Sequence, residues 1–309
     1  MDVEHLLLLR ELAERGSVTA VAQATHRTPS AVSQQLRTAQ RHAGMALVEP
    51  DGRGLRLTEA GLLLARGGVE VASALARVES DWRAFRDGPG GEVRIAALPS
   101  AATFLLPAVQ RAAAEVGLVL RVQDDDVAEA DFAALAADHD LVIGHSVAGP
   151  RPAGSEGLVA TPLAREPLDV ALAAGHPLAA KARLRVRDVV DQEWIGVPAG
   201  YPFDTVLAAI EHEAGVPLRV TQRVRDNRLV EALVSSSRLL AVLPRFTTPV
   251  APPGADGVVL RPLVGVRADR FVTALARPDR AQRAAVRHTL DLLRTAAAEV
   301  SRRHHAPPC

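Results

Sequence analysis

Residues 59–86 read EAGLLLARGGVEVASALARVESDWRAFR, and the positions Leu64, Gly68, Val71, Leu75, Val78, Trp82 and Phe85 follow at steps of four, three, four, three, four and three. That spacing is the seam of a coiled coil on one long helix. An exposed seam of this length requires a partner, either the chain's own later domain or a second copy. Its regularity favours the second copy, so Leu64, Val71, Leu75, Val78, Trp82 and Phe85 are predicted dimer contacts. Gly67 and Gly68 weaken the helix locally, although a glycine on the seam also lets two backbones approach.

Ahead of this helix, Leu6, Leu9, Leu12 and Ala13 share a helical face, and Gly16 stands where such a helix stops. Ser17 supplies a cap for a second short helix through Val18, Val21 and Ala22. Thr28 caps a third, with Pro29 at its first position, where a missing N–H costs nothing. In that third helix Val32, Leu36, Ala39 and Ala43 recur at helical spacing and should face inward, which turns Ser30, Ser33, Gln34, Arg37 and Arg41 outward together. Hydroxyl, amide and guanidinium groups on one face suit base edges and phosphates in a major groove. Taken alone, the stretch reads equally well as a solvated surface helix. VEPDGRGLRLTEAG then reads as a tight hairpin with Arg53 at its tip and Thr58 capping the long helix. Helix, helix, hairpin is a winged helix-turn-helix, and an arginine on the wing suits phosphate or the minor groove.

The formal net charge of the whole chain is zero, so any binding to nucleic acid must come from a local concentration of charge. Between Arg15 and Arg66 the basic residues are Arg15, Arg27, Arg37, Arg41, Arg53, Arg56 and Arg66, against Glu49, Asp51 and Glu59; seven minus three leaves +4. Lys181 is the only lysine, and arginine's planar fork suits phosphate and guanine. Biased base composition of the genome accounts better for the arginine excess as a whole.

These residues resemble the N-terminal domain of the LysR-type transcriptional regulators. The resemblance is carried by GSVTAVAQATHRTPSAVSQQL and by GRGLRLTEAG running straight into a long helix, and it covers about the first quarter of the chain. AGHPLAAKARLRVRDVVDQEWI and LVSSSRLLAVLP extend it into the second half. The resemblance implies a DNA-binding dimer or tetramer whose C-terminal half senses a small molecule, and it adds RNA polymerase to double-stranded DNA as a partner. Carried over position by position, the family's DNA-contacting places fall on Thr28, Pro29, Ser30, Ser33, Gln34, Arg37 and Arg53. Pro29 stands where the family often has glutamine and offers only apolar contact. Gln34 stands where arginine is frequent and suits adenine better than guanine. Pro50 replaces an arginine and removes a possible phosphate contact; Thr25 replaces a leucine of the second helix and should cost some packing.

DGPGGE, residues 87–92, breaks the long helix. Beyond it the chain alternates: EVRIAAL is a strand, Leu106 to Val116 a helix, LVLRVQ a strand, Ala128 to Ala137 a helix and DLVIGH a strand. A second such unit starts near Thr161 with PLDVALAA, followed by a helix from Phe203 to Ala214, LRVTQRV, a helix from Asn227 to Ser235 and RLLAVLP. A last helix from Ala281 to about Val300 crosses back. Alternation argues for α/β with a largely parallel sheet, and two lobes with crossing connections make a periplasmic-binding-protein-like effector domain. The predicted organisation is a winged helix-turn-helix, all-α apart from its wing, over 1–58 and a linker helix over 59–87. Lobe I takes 92–160 and 269–300, lobe II 161–268, and a disordered tail 301–309.

Ligands of open α/β sheets sit beyond the carboxyl ends of strands, at helix N-termini. That points to Pro99, Ser100, Ala101, Ala102, Thr103 and His145 in the first lobe, and to Gly200, Tyr201, Pro202, Phe203 and Thr221 in the second. Ser100 and Thr103 could offer hydroxyls to a carboxylate, with ordinary helix capping as the alternative. Tyr201, the only tyrosine, is either an effector contact or a loop anchor.

No catalytic residue, metal site or cofactor is expected. Cys309 is the only cysteine, which rules out an internal disulfide. His139 and His145 lack partners at zinc spacing, and His304 and His305 lie in the tail. The acidic run Asp124, Asp125, Asp126 is explained by a capping box of Asp126 with Glu129. Ser235, Ser236 and Ser237 are in no nucleophile elbow, and neither GxxxxGK nor GxGxxG occurs. The N-terminus carries charges where a signal peptide has its apolar segment, and no apolar run approaches the roughly 20 residues needed to span a bilayer, so a cytoplasmic protein without membrane contact is expected. Two further readings stay open: a cytoplasmic solute-binding module whose N-terminal domain serves oligomerisation only, and an enzyme on the two-lobed fold.

Overall fold

The structure, a computed structural model, describes residues 1–51, 54–87, 90–199, 201–252 and 254–305. It divides into two compact units, Met1–Gly90 with Arg277–Arg287, and Gly91–Ala276 with His288–Cys309.

The first unit begins with α1 (Val3–Arg15), α2 (Val18–Ala24) and α3 (Pro29–Ala43). Each is bounded by a local device. Asp2 accepts the His5 N–H at 3.1 Å, Ser17 the Ala20 N–H at 3.1 Å and Thr28 the Ala31 N–H at 3.2 Å, while Gly16 and Gly44 adopt φ of 70° to end α1 and α3. His5, Leu8, Leu9 and Leu12 of α1 are buried with Val21, Ala22, Val32, Leu36, Ala39 and Leu47. Ala13, expected on the inner face, is exposed. The buried stripe is set by where the later long helix crosses α1, which the spacing within α1 does not encode.

Between α2 and α3 the chain turns through His26, whose φ of +53° is the only positive value at a non-glycine among the described residues. The His26 N–H bonds to Gln23 O at 3.3 Å and the Arg27 N–H to Ala22 O at 2.9 Å, the paired bonds of a Schellman turn. Thr25 ends α2, donating its hydroxyl to Val21 O at 2.8 Å. The wing follows as β1 (Val48–Asp51) antiparallel to β2 (Gly54–Leu57). Its base is held on both sides: Gln40 Oε1 accepts the Leu47 N–H at 3.0 Å, and the Thr58 hydroxyl donates to Ala46 O at 2.9 Å.

The long helix α4 (Glu59–Asp87) then runs unbroken through Gly67 and Gly68. Leu64 packs against the core of the head, Leu75, Val78 and Trp82 are exposed, and the Phe85 side chain lies outside the described residues. Residues 277–287, expected in lobe I as part of 269–300, complete this unit instead. Arg277, buried, pairs with Glu11 at 3.2 Å, Glu14 at 3.0 Å and Asp279 at 3.3 Å; Arg10 reaches Asp279 at 3.1 Å, and Arg15 reaches Glu11 at 2.9 Å. The Ala284 N–H donates to the buried Ser80 hydroxyl at 2.6 Å.

The second unit contains β3 (Gly91–Ala97), α5 (Pro99–Glu115), β4 (Leu118–Asp124), α6 (Phe132–Leu135) and β5 (Leu141–Ser146), then β6 (Val159–Ala173). Next come β7 (Leu184–Arg185), α7 (Val186–Val189), β8 (Glu193–Gly196), α8 (Pro202–Ala214), β9 (Arg219–Arg223), α9 (Asn227–Ser235) and β10 (Leu240–Pro244). The unit continues with β11 (Val258–Arg261), β12 (Leu263–Val264) and β13 (Asp269–Ala276). After α10 (Pro278–Ala281) in the first unit, the last element is α11 (Ala284–His305), so residues 301–305, expected in a disordered tail, continue the helix.

The strand order β4-β3-β5-β13-β6-β10-β8-β9 makes two α/β lobes. β3 is parallel to β4 and β5, and β8 is parallel to β9 and β10. The strands that join the lobes are antiparallel: β6 pairs with β13 from Val159 to Pro167 and with β10 from Leu168 to Ala171. Thr161 is therefore inside β6, opposite Ala274 of β13. The second lobe closes around Trp194, Leu168, Leu172, Leu184 and Ile210, with the Trp194 indole N–H donated to Val189 O at 3.2 Å.

Three local expectations differ. α5 starts at Pro99 and passes through Pro107, because Pro99 at its first position presets the helical φ and the loss of one N–H at Pro107 does not stop it. Residues 129–135 form one 3-10 turn and a single helical turn instead of a longer helix. Asp126 caps nothing there; it pairs with Arg225 from the other lobe at 3.1 Å. No helix among the described residues is long and apolar enough to cross a membrane.

Candidate functional site

In the head, Thr28, Pro29, Ser30, Gln34, Arg37 and Arg41 are exposed and Ser33 is half-buried, along one side of α3 opposite Val32, Leu36 and Ala39. The Thr28 and Ser30 hydroxyls lie 3.0 Å apart, and Arg41 donates to the Thr38 hydroxyl at 3.0 Å. The side chains of Ser33, Gln34 and Arg37 make no hydrogen bond or ion pair among the described residues, so their donors and acceptors stay available to base edges. Gln34, Arg37, Gln40 and Arg41 line an open groove with Gly44, Met45 and Ala46. On the wing, Arg56 pairs with Glu49 across the hairpin at 2.7 Å, and Arg53 lies outside the described residues.

In the second unit a cavity of about 520 Å³ opens between the two lobes. Of the residues expected to meet an effector, Pro99, Ser100, Thr103, His145, Tyr201 and Phe203 line it. Ala101 does not, being fully buried in the first lobe on the inner side of α5. Thr221 does not either: on β9 its hydroxyl donates to Trp194 O at 3.3 Å. Gly200 lies outside the described residues. Thr103 donates its hydroxyl back to Pro99 O at 2.9 Å.

On the floor of the cavity Ser100 and His145 were named from the sequence, and the charged pair beneath them was not. Arg270 and Glu166 are both 0% exposed; Arg270 Nε donates to Glu166 Oε2 at 2.8 Å, and Nη2 approaches the same oxygen at 2.6 Å. Glu166 Oε1 accepts the Phe246 N–H at 2.7 Å. Arg270 Nη1 donates to Ser100 Oγ at 2.9 Å and to His145 Nδ1 at 3.0 Å. The sequence gives little signal for the pair, because β6 also carries Arg165 and Asp169 beside Glu166, and β13 carries Asp269 beside Arg270. Burial, and then the Arg270 charge, hold His145 well below the ordinary histidine range, so the ring is neutral. At the cavity mouth Tyr201 donates its hydroxyl to Asp126 O at 3.2 Å and accepts from Arg225 Nη1 at 3.2 Å, joining the lobes. Burial there raises the Asp126 carboxyl above its ordinary value despite Arg225, and burial likewise raises Glu231 despite Arg228.

Among the described residues, one group could hold a metal ion: Asp2, His5 and His42, whose ligand atoms lie within 4.8 Å of one another. Asp2 is engaged in capping α1, and the His5 and His42 rings meet edge to face at 5.1 Å. The two histidines are brought together by the packing of α1 on α3, not by a ligand spacing in the sequence.

The first 60 or so residues match the family model described as bacterial regulatory helix-turn-helix protein, lysR family, over residues 3–62, and the LysR substrate binding domain matches over residues 86–298. The chain is 25% identical over 282 residues to the HTH-type transcriptional regulator TtuA of Agrobacterium vitis, covering 89% of this chain and 91% of that one. It is 26% identical over 250 residues to the HTH-type transcriptional regulator MetR of Haemophilus influenzae, covering 79% and 78%. Among solved structures, a Corynebacterium glutamicum OxyR C206 mutant superposes with a TM-score of 0.59 at 19% identity, covering 97% of this chain and 94% of that one. Full-length CbnR complexed with its target DNA superposes with a TM-score of 0.54 at 19% identity, covering 96% and 100%. At these identities the structural likeness speaks to the fold. The chain belongs to the LysR family and is a LysR-type DNA-binding transcriptional regulator with an effector-binding domain.

Proposed function

We propose that α3 reads its operator through Thr28, Pro29, Ser30, Ser33, Gln34 and Arg37, with Arg53 of the wing on the backbone or minor groove, and that a small molecule bound between the two lobes controls the outcome. The observation that carries the DNA reading is the set of uncommitted side chains Ser33, Gln34 and Arg37 on one exposed face. Solvated surface helices usually carry charged pairs; here the amide and guanidinium are left for an outside partner. The effector reading rests on a cleft of mixed polar and apolar lining whose two walls come from different lobes.

The working assembly is a dimer or tetramer built through α4, with Leu75 and Val78 in the contact and Leu64, Val71, Trp82 and Phe85 along the same stripe. Effector and DNA are coupled if effector affinity differs between two arrangements of that assembly. The protein works in the cytoplasm by binding and not by turnover, with RNA polymerase as a further partner and no resident cofactor.

The test is binding of the purified protein to fragments of its own upstream intergenic DNA at two salt concentrations, with Arg37→Ala beside it. Sequence-selective binding that weakens with salt, and falls by about tenfold or more in the variant, is expected. Binding that is equal on every fragment and indifferent to the substitution would overturn the assignment of α3.

A further inference from the structure

Asp2, His5 and His42 are used neither by the reading face of α3 nor by the cavity. Asp2 immediately precedes α1, His5 lies in its first turn and His42 in the last turn of α3. One possible ligand atom of each lies within 4.8 Å of the other two; His5 is buried, and Asp2 and His42 are exposed. The cluster is rich in lone pairs and poor in protons. Asp2 Oδ1 accepts the His5 N–H at 3.1 Å and also stands 3.2 Å from His5 Nδ1. The Asp2 N–H points at that same Nδ1 from 3.5 Å, which calls for a lone pair on the nitrogen. A nitrogen lone pair and a carboxylate oxygen at this separation repel each other unless a proton or a cation lies between them. His42 adds a third ligand atom: its ring meets the His5 ring edge to face, with centroids 5.1 Å apart, and its nitrogens make no hydrogen bond or ion pair among the described residues. Among those residues Asp2 pairs with no arginine or lysine that would neutralise it.

The spacing suits a small ion. Two ligands of one tetrahedral ion with bonds of about 2.0–2.1 Å stand ~3.3 Å apart. His5 Nδ1 and Asp2 Oδ1 already have nearly that separation, and the exposed His42 ring closes the remaining gap by rotating about its side-chain bonds. The helix cap survives, because a carboxylate offers about four lone-pair sites and the His5 N–H takes one. The C-terminal end of α3 carries partial negative charge, which favours a cation beside His42. The N-terminal end of α1 opposes a cation, and the full charge of Asp2 outweighs that partial charge. Two imidazoles with one carboxylate suit Zn2+, Co2+ or Ni2+, whereas Mg2+ and Ca2+ take oxygen ligands throughout.

We propose that Asp2, His5 and His42 bind a divalent transition metal ion of the Zn2+ class, which fastens the start of α1 to the last turn of α3. The ion is exchangeable, since two of its three protein ligands are exposed and its remaining coordination positions are open to water. The three ligands meet only when α1 packs on α3, so the ion binds the folded head and stabilises it.

The test uses the full chain, free of any purification tag and stripped with chelator, at about pH 7.5, where imidazole is mostly neutral. Zn2+ is titrated calorimetrically, and Co2+ is followed by its visible d–d absorption. Zn2+ should bind saturably at one equivalent and raise the unfolding temperature, Zn2+ should displace the Co2+ signal, and Mg2+ should do neither. His42→Ala removes an exposed ligand, and Asp2→Asn keeps a side chain that caps helices but loses the carboxylate. Both variants should fold as the parent does by circular dichroism. Each should weaken Zn2+ binding by about tenfold or more, since losing a ligand costs at least as much as losing an outer-shell group. Replacing the other ligands near the C-terminus together, by His304→Ala, His305→Ala and Cys309→Ser, should leave the one-equivalent site and its thermal shift in place. Binding that survives both His42→Ala and Asp2→Asn, or that vanishes with the C-terminal substitutions, would show adventitious uptake elsewhere and overturn the proposal. No saturable uptake at submillimolar Zn2+ would overturn it as well.

Discussion

Gly68 of α4 lies directly over the backbone of Leu6 in α1, so close that a Cβ added at Gly68 would stand 2.4 Å from the Leu6 carbonyl oxygen. Its neighbour Gly67 has nothing within 4 Å of the same virtual atom. Two adjacent glycines in one helix therefore do different things. The first permits α1 to cross α4, and the second only loosens the helix.

Gly68→Ala should destabilise the first unit, because the obstructing atom is backbone and cannot swing aside; a cost of about 1–3 kcal/mol is expected for such overpacking. Gly67→Ala should stabilise it by roughly 0.5–1 kcal/mol through helix propensity. Urea unfolding of the two variants beside the parent checks the opposite signs.

His26 occupies the left-handed region that glycine enters without cost. His26→Gly should stabilise the head by up to about 1 kcal/mol, the relief of a side chain in that region less the added freedom of glycine in the unfolded chain. DNA affinity should stay within about twofold, since the turn geometry is retained. A lower unfolding midpoint for the variant would show that the His26 side chain makes a contribution larger than the backbone relief.

The acidic residues of α1 predict opposite responses to pH. Burial raises the Glu11 carboxyl, but hydrogen bonds from Arg15 and Arg10 and the charge of Arg277 outweigh it and bring the pKa to about 2. A folded-state value below the unfolded one contributes stability that is complete above the ordinary value of 4.5 and is lost as pH falls toward 2. Glu14 is raised, mainly by burial, against the pull of Arg277, so its contribution is present at low pH and lost as pH rises through the folded value. Glu11→Gln should thus destabilise at pH 7 by on the order of 1–2 kcal/mol and lose its effect at low pH, whereas Glu14→Gln should be neutral to stabilising at pH 7. Denaturant midpoints measured across this range separate the two.

Leu75 is 46% and Val78 is 65% exposed on α4. Placing aspartate at both should dissociate the assembly while leaving the circular dichroism of the chain unchanged, because neither side chain is in the core of the head. Sedimentation velocity over a range of protein concentrations measures it. A double variant that sediments as the parent would place the contact elsewhere.

The elements of the head were legible because what fixes them is local. Ser17, Thr28, Gly16 and Gly44 act on N–H and C=O groups within four residues, and the spacing of Val32, Leu36 and Ala39 identifies a buried face on one helix without reference to any other. The inner face of α1 was read at Leu9 and Leu12 but not at His5 and Leu8, and Ala13 was placed there wrongly, since α4, which follows two more helices and the wing, determines it. The use of Gly68 shows the same limit: the sequence marks a glycine on a seam, and only the packing says that α1 is what approaches it.

In the effector domain the sequence alone determined the alternation of strands and helices, and with it which strand ends face one another, where Ser100, His145 and Tyr201 line the cavity. Only the tertiary structure decided which charges stand there. Arg270 meets Ser100 across 170 positions of chain and His145 across 125, and Asp126 leaves a capping role that its neighbours would have allowed in order to pair with Arg225. Periodicity and capping record interactions between near neighbours. A buried charge finds its partner only when remote strands are brought together and water is excluded, because only there does an unpaired charge become too costly to keep.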